Sequence, residues 1–170
     1  MKKTIMVALV ALVSFGAFAQ HDHAVEGDSK EQGQAHVMFK DEKVGTAYAH
    51  YVHLKDALVA SKSDQAKKAA SELEKSLSSI SRAKKASESA SKIAATTDLD
   101  VQRKEFSTLS NEITALVKSS NLSMGSIYLE YCPMANNNQG AYWLSNEKQI
   151  KNPYFGDAML KCGSVKETIQ

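Results

Sequence analysis

Apolar residues recur every three or four positions along most of the segment from residue 41 to residue 119. This spacing is typical of amphipathic helices that bury one face. The first stripe predicts a helix over about residues 41–61 and comprises Val44, Ala47, Tyr51, Leu54 and Leu58. Ser63 and Asp64 then offer an N-cap for a second helix, which we expect to continue to about residue 95. Its stripe comprises Ala66, Ala70, Leu73, Leu77 and Ile80, with Ala83, Ala90 and Ile93 extending it.

A third helix is predicted after the polar sequence at residues 96–98. Its stripe comprises Leu99, Phe106, Leu109, Ile113 and Leu116, and it ends near residues 119–121. Three amphipathic helices joined by short polar turns favour an antiparallel up-and-down three-helix bundle. The predicted fold class is therefore mainly α.

The period changes in the C-terminal part of the chain. Apolar and polar residues alternate over 127–132, which predicts a short strand. The turn sequence at 136–140 and the apolar run at 141–144 complete a predicted β-hairpin. Asn152 followed by Pro153 suggests the start of a short helix that ends at Lys161. The hairpin and this short helix would carry the chain's two cysteines, within a motif region at 127–165.

The N-terminal residues are typical of an exported protein. Two lysines, an apolar run and a small-x-small site predict a signal peptide at 1–19. Residues 20–38 contain histidines but no apolar period, so we expect a flexible lead there. Residues 39–170 are then expected to form a single helical domain that is periplasmic, with no membrane anchor after cleavage.

Charge excludes some classes of partner. The whole chain has a formal net charge of +2, and both excess lysines belong to the predicted signal peptide. The remaining residues carry equal numbers of acidic and basic side chains, so nothing in their charge indicates a nucleic-acid partner. The sequence also lacks a serine-histidine-aspartate arrangement, a phosphate-binding loop and a zinc-protease motif, so we expect no enzymatic activity.

Sulfur ligands mark both ends of the motif region. Cys132 and Met134 are two residues apart, and Met159 and Cys162 are three apart, so each pair can share one face of its predicted element. Two thiolates and two thioethers facing each other would bind one Cu(I) or Ag(I) ion. The alternative is a disulfide between Cys132 and Cys162, which is common in an oxidising compartment. The spacing leaves both open.

Histidines are the other candidate ligands. His50 and His53 lie three apart on the first predicted helix, and either is a candidate extra ligand to the cysteine and methionine site. In the predicted lead, His36 and Met38 form another spaced pair, and His21 and His23 flank an aspartate.

Several segments together resemble a domain-of-unknown-function family of Gram-negative secreted proteins. They are YCPMA at 131–135, WLS at 143–145, NPYFG at 152–156 and MLKCG at 159–163, with LKDALV at 54–59 and RKEFSTLS at 103–110 upstream. That domain also occurs fused to periplasmic adaptor subunits of copper and silver efflux pumps. The resemblance implies heavy-metal handling, with copper as the expected metal.

We therefore expect a periplasmic copper-binding protein that acts as a chaperone, a buffer or an accessory of an efflux or resistance system. Its partners would be the metal ion and a periplasmic efflux adaptor or another copper-handling protein. The alternative is a disulfide-stabilised helical interaction module that works without bound metal.

Overall fold

Four long α-helices form the first part of the fold in the computed structural model, which describes residues 36–170. They are α1 (Glu42–Val59), α2 (Ser63–Ser78), α3 (Lys84–Ala94) and α4 (Leu99–Lys118). Asp41 caps α1 by accepting hydrogen bonds from the backbone N–H groups of Lys43 and Val44. Asp98 caps α4 in the same way. These side chains satisfy N–H groups that have no partner inside a helix.

The prediction of one continuous second helix is wrong, and the predicted three-helix bundle is not confirmed. The segment forms two helices separated by a 3₁₀ turn at Ser81–Ala83. At the end of α2, the hydroxyls of Ser78 and Ser79 donate to backbone carbonyls three residues earlier, which competes with helix continuation. Ile80 then takes an extended conformation and is buried. The break allows α3 to pack on α2 instead of extending it.

Consecutive helices pack against each other, and α4 also contacts α1. The predicted apolar stripes form the core, so the helical periodicity identified the buried faces correctly. The largest side chains with almost no exposure in the helices are Tyr51, Leu54, Leu58, Leu73, Leu77, Ile93, Phe106, Leu109 and Ile113. Among the described residues, no helix is both long and apolar enough to cross a membrane.

A three-stranded antiparallel sheet follows the helices and packs on α4 through one edge strand. Its strands are β3 (Ile127–Cys132), β4 (Ala141–Ser145) and β5 (Ser164–Ile169), in the order β4-β3-β5. The predicted hairpin is confirmed, since β3 and β4 pair with Leu129 opposite Leu144. The third strand was not predicted. Its residues are almost all exposed, so β5 lacks the alternating burial that marks a strand in sequence.

Two smaller elements also differ from expectation. Instead of a helix over 153–161 there is a 3₁₀ turn at Gly156–Met159, and Cys162 lies beyond it, just before β5. The predicted helix carrying Cys162 is therefore wrong. At the other end of the described chain, β1 (Met38–Phe39) pairs with β2 (Leu122–Met124), so Met38 belongs to a small ribbon and not to the predicted lead. Residues 1–35, including the predicted signal peptide and most of the predicted lead, lie outside the described residues.

Candidate functional site

The two cysteines meet where β3 ends and β5 begins. Cys132 is the last residue of β3 and is fully buried, whereas Cys162 precedes β5 and is half-buried. Pairing of β5 with β3 places Ser164 opposite Tyr131, which brings the two cysteines together. Their Sγ atoms lie 2.7 Å apart although the residues are separated by 30 positions in sequence. The sequence identified this pair, but the strand that joins it was missed.

Asn152 holds the loop that carries Cys162. Its side chain is fully buried, and its Nδ2 donates to the Cys162 carbonyl at 2.8 Å. Its Oδ1 accepts from the backbone N–H of Tyr154, as the predicted N-cap would. The Cys162 N–H in turn donates to the carbonyl of Met159 at 3.0 Å. The Asn-Pro sequence thus positions the second cysteine, through an asparagine that bonds to both sides of the loop.

The Cys162 thiol favours its protonated form. The hydrogen bond with Cys132 raises the pKa of Cys162 to about 11, and desolvation adds to the effect. A thiol is a poor nucleophile and a poor metal ligand until it loses its proton. The pair can therefore act by oxidation, which removes both protons, or by binding a cation that displaces them.

Both methionines of the predicted site, each within three residues of a cysteine, line one cavity. The cavity has a volume of about 640 Å³ and opens between α4 and the turn that follows β3. Its lining comprises Asp100, Val101, Arg103, Lys104, Met134, Asn136, Asn137, Asn138, Tyr154, Phe155 and Met159. Met134 has 47% of its surface exposed, so its thioether is accessible to solvent. The cysteines are not among the lining residues, so the structure divides the four predicted ligands into a cysteine pair and two cavity-lining methionines.

The wall of this cavity contains an unusual stretch of backbone. Asn136, Asn137 and Asn138 all have positive φ angles, of 52°, 55° and 62°. Asparagine enters this left-handed region more readily than most residues, but three in succession is a strained arrangement. Such strain is often found at binding sites, where surrounding contacts maintain it. The sequence indicated a turn here without indicating its left-handed form.

Arg103 lies on the opposite wall of the cavity and makes three hydrogen bonds that hold this wall together. Its guanidinium donates to the carbonyls of Pro153 and Leu58 and to the hydroxyl of Ser61. These bonds connect α4 to the end of α1 and to the segment that precedes the 3₁₀ turn at Gly156–Met159. The sequence indicates Arg103 only as part of a helical segment. Its three partners are distant along the chain, so its bonding role could not be predicted.

The two histidines proposed as extra ligands lie elsewhere. His50 Nδ1 is 3.6 Å from the Glu72 carboxylate on α2, and the His50 and His53 rings are 6.2 Å apart. His53 lines a groove between α1 and α2 together with Asp56, Ala57, Gln65, Lys68, Ala69 and Glu72. Neither histidine lines the methionine cavity. Within residues 36–170, no three His, Cys, Asp or Glu side chains come together as a metal-binding group.

A family model described as a protein of unknown function, DUF3347, matches residues 47–125. The matched segment runs from within α1 to just beyond β2, so both cysteines lie outside it. No curated protein and no solved structure matches the chain.

Proposed function

We propose that the protein binds one Cu(I) or Ag(I) ion in the periplasm and acts as a chaperone, a buffer or an accessory of an efflux system. Cys132 and Cys162 are the primary ligands. The observation that carries the proposal is the contact of their sulfur atoms, 2.7 Å apart, at the junction of two paired strands. A site built between rigid strands is better defined than one on a free loop.

The available donors suit a soft monovalent ion. Thiolate and thioether sulfur select Cu(I) over hard cations such as Mg²⁺ or Ca²⁺, which prefer oxygen. Met134 and Met159 line the neighbouring cavity and supply thioethers near the thiol pair. The same cavity gives an incoming ion, or a partner that delivers it, access to these two thioethers. A periplasmic efflux adaptor or another copper-handling protein is the partner that this role implies.

Binding would require a small rearrangement of the thiols. Two sulfurs bound to one metal ion at about 2.3 Å each lie roughly 4 Å apart, which is wider than the observed contact. Cys132 is fixed in β3, so the half-buried Cys162 is the residue that moves. The two thiol protons leave as the ion enters, because the metal ligand is the thiolate.

The second candidate function is a helical interaction module clamped by a Cys132–Cys162 disulfide. The close contact of the two sulfurs favours it directly, since oxidation needs less movement than metal entry. In this case the methionine cavity and the left-handed asparagine turn would form the surface that a partner recognises. The two functions differ in the state of the thiols in the working protein.

Anaerobic competition with a chromogenic Cu(I) chelator tests the metal function. The reduced protein should withhold one equivalent of Cu(I) from the chelator, and Cys132→Ser and Cys162→Ser should each remove most of this binding. His53→Ala is a matched control, because it removes an imidazole ligand candidate from the groove between α1 and α2. Unchanged binding in both serine variants, with their circular dichroism preserved, would refute the site.

Counting thiols in protein isolated directly from the periplasm separates the two candidates. Two titratable thiols, or two thiols released by a chelator, support the metal function. Their complete absence before reduction, and their appearance after it, supports the disulfide-clamped module.

A further inference from the structure

The four methionines within residues 36–170 occur as two spatial pairs. One pair is Met134 and Met159 in the cavity described above. The other is Met38 and Met124, which lie directly opposite each other on β1 and β2. Their exposed fractions are 47% and 57%, among the highest of the large apolar side chains. Because both side chains are largely exposed, packing in a hydrophobic core does not explain why these two methionines lie opposite each other.

The ribbon directs both side chains to one face. Residues directly opposite each other in an antiparallel pair have Cβ atoms about 4.5–5.5 Å apart on the same side. Phe39, the next residue of β1, is buried against the helical core, so the face of Met38 points to solvent. Two flexible side chains at this separation can contact a single ion between them.

His36 lies beside this end of the ribbon. His36 precedes Met38 by two residues, and alternate residues of an extended segment project to the same side. His36 is exposed, and its backbone runs beside Gly125, immediately after Met124. A Cβ at Gly125 would lie 2.6 Å from the His36 carbonyl, and its φ of +87° is one that glycine readily adopts. The glycine thus lets the two segments approach closely at this end of the ribbon.

We propose that His36, Met38 and Met124 form a second soft-metal site that binds Cu(I) or Ag(I). One imidazole nitrogen and two thioether sulfurs favour these ions, whereas Mg²⁺ and Ca²⁺ prefer oxygen ligands. Thioethers bind without losing a proton, and they cannot be converted to a disulfide. The ribbon site therefore remains competent when the cysteine pair is oxidised, and it does not depend on the function proposed for that pair.

Methyl NMR tests the site in a thiol-free background. The full chain carrying Cys132→Ser and Cys162→Ser is labelled with ¹³C at the methionine methyl groups and titrated with silver nitrate in chloride-free buffer. The Met38 and Met124 resonances should move together and saturate at one equivalent per ribbon. Met124→Leu should abolish the response of Met38. His36→Ala removes a direct ligand, so it should weaken silver binding by at least the roughly tenfold to hundredfold that is lost with an outer-shell partner.

Met134→Leu is the matched control, since it removes an equally exposed methionine from the other pair and should leave the ribbon response unchanged. The proposal is overturned if silver moves only Met134 and Met159, or if Met38 responds equally in the Met124→Leu variant. Because the cysteines are absent throughout, either result leaves the cysteine-site test unaffected.

Discussion

Glu130 and Trp143 lie directly opposite each other on β3 and β4, and both are completely buried. Neither carboxylate oxygen of Glu130 nor the Trp143 indole nitrogen has a hydrogen-bond partner among the described residues. Burial raises the pKa of Glu130 to about 8, although the Lys55 ammonium and the nearby indole N–H favour its ionised form. The sheet thus contains a carboxyl group that is neutral over much of the pH range in which free glutamate is charged.

Glu130→Gln should change how stability depends on pH. The pKa of Glu130 is higher in the folded state than in the unfolded state, so the folded protein binds the proton more tightly. The associated stability is fully present below about pH 4.5 and is lost as the pH rises toward about 8. The glutamine variant does not lose this stability. Its free energy of unfolding, relative to that of wild type, should therefore increase between about pH 4.5 and about pH 8, by roughly 1.4 kcal/mol per unit of pKa shift.

Urea unfolding of both proteins at several pH values measures this difference. Glu167→Gln is the control, because that carboxylate is exposed on β5 and paired with Lys118. Its difference from wild type should stay small, as expected for a surface ion pair. A pH-independent difference between Glu130→Gln and wild type would show that Glu130 keeps an ordinary pKa. The buried Lys55 ammonium, whose charge favours the ionised form of Glu130, would then offset the effect of burial.

Oxidation of the cysteine pair should stabilise the fold. A covalent link between Cys132 and Cys162 closes a loop of about thirty residues and restricts the unfolded chain, which is worth about 3–4 kcal/mol in the chain-entropy model. Urea unfolding with and without a reductant measures the effect. The double serine variant provides the control, since the reductant should leave its midpoint unchanged. Equal midpoints for oxidised and reduced wild type would mean that the cross-link distorts the folded state.

Tyr51→Phe should destabilise the contact between the helices and the sheet. The Tyr51 hydroxyl accepts a hydrogen bond from the Leu144 N–H at 3.0 Å and is bonded to the Ser110 hydroxyl at 2.8 Å. It therefore satisfies the Leu144 N–H on the outer edge of β4, an edge that no other strand of residues 36–170 covers. Removing it leaves a buried N–H without a partner, at a cost of about 1–3 kcal/mol. Ser110→Ala, which removes only the second bond, should cost less in the same thermal or urea unfolding measurement.

The helical part of the fold was predictable because its information is local. The predicted boundaries of α1 and α4 agree with the structure to within about two residues, since apolar stripes and the caps Asp41 and Asp98 lie within each segment. The division between α2 and α3 was missed because serine side chains, and not glycine or proline, end α2. Helix-stop signals of that kind are weak in sequence.

The arrangement of the candidate site could be predicted only in part, for a physical reason. The cysteines and methionines are conspicuous residue types, so sequence reasoning found them. It could not find β5, whose exposed residues show no alternation, nor the burial of Glu130, since a charged residue in a strand normally indicates a solvent-facing position. Both depend on pairing between segments distant along the chain.

Gly140→Ala tests two reasons why glycine occupies the hairpin turn beside the cavity: its left-handed backbone conformation and the lack of space for a side chain. Gly140 has a φ of +79°, and a Cβ there would lie 2.0 Å from the Tyr131 hydroxyl. The alanine variant is expected to lose about 1–2 kcal/mol from the left-handed backbone alone, and more from displacing Tyr131, whose ring packs against Tyr142 at 4.5 Å. Urea unfolding of Gly140→Ala in the wild-type and Tyr131→Ala backgrounds distinguishes the two terms. A smaller loss in the second background measures the clash, because only the backbone cost remains once the ring is gone. Equal losses in both would mean that Tyr131 moves aside freely and that backbone strain alone makes glycine necessary at this turn.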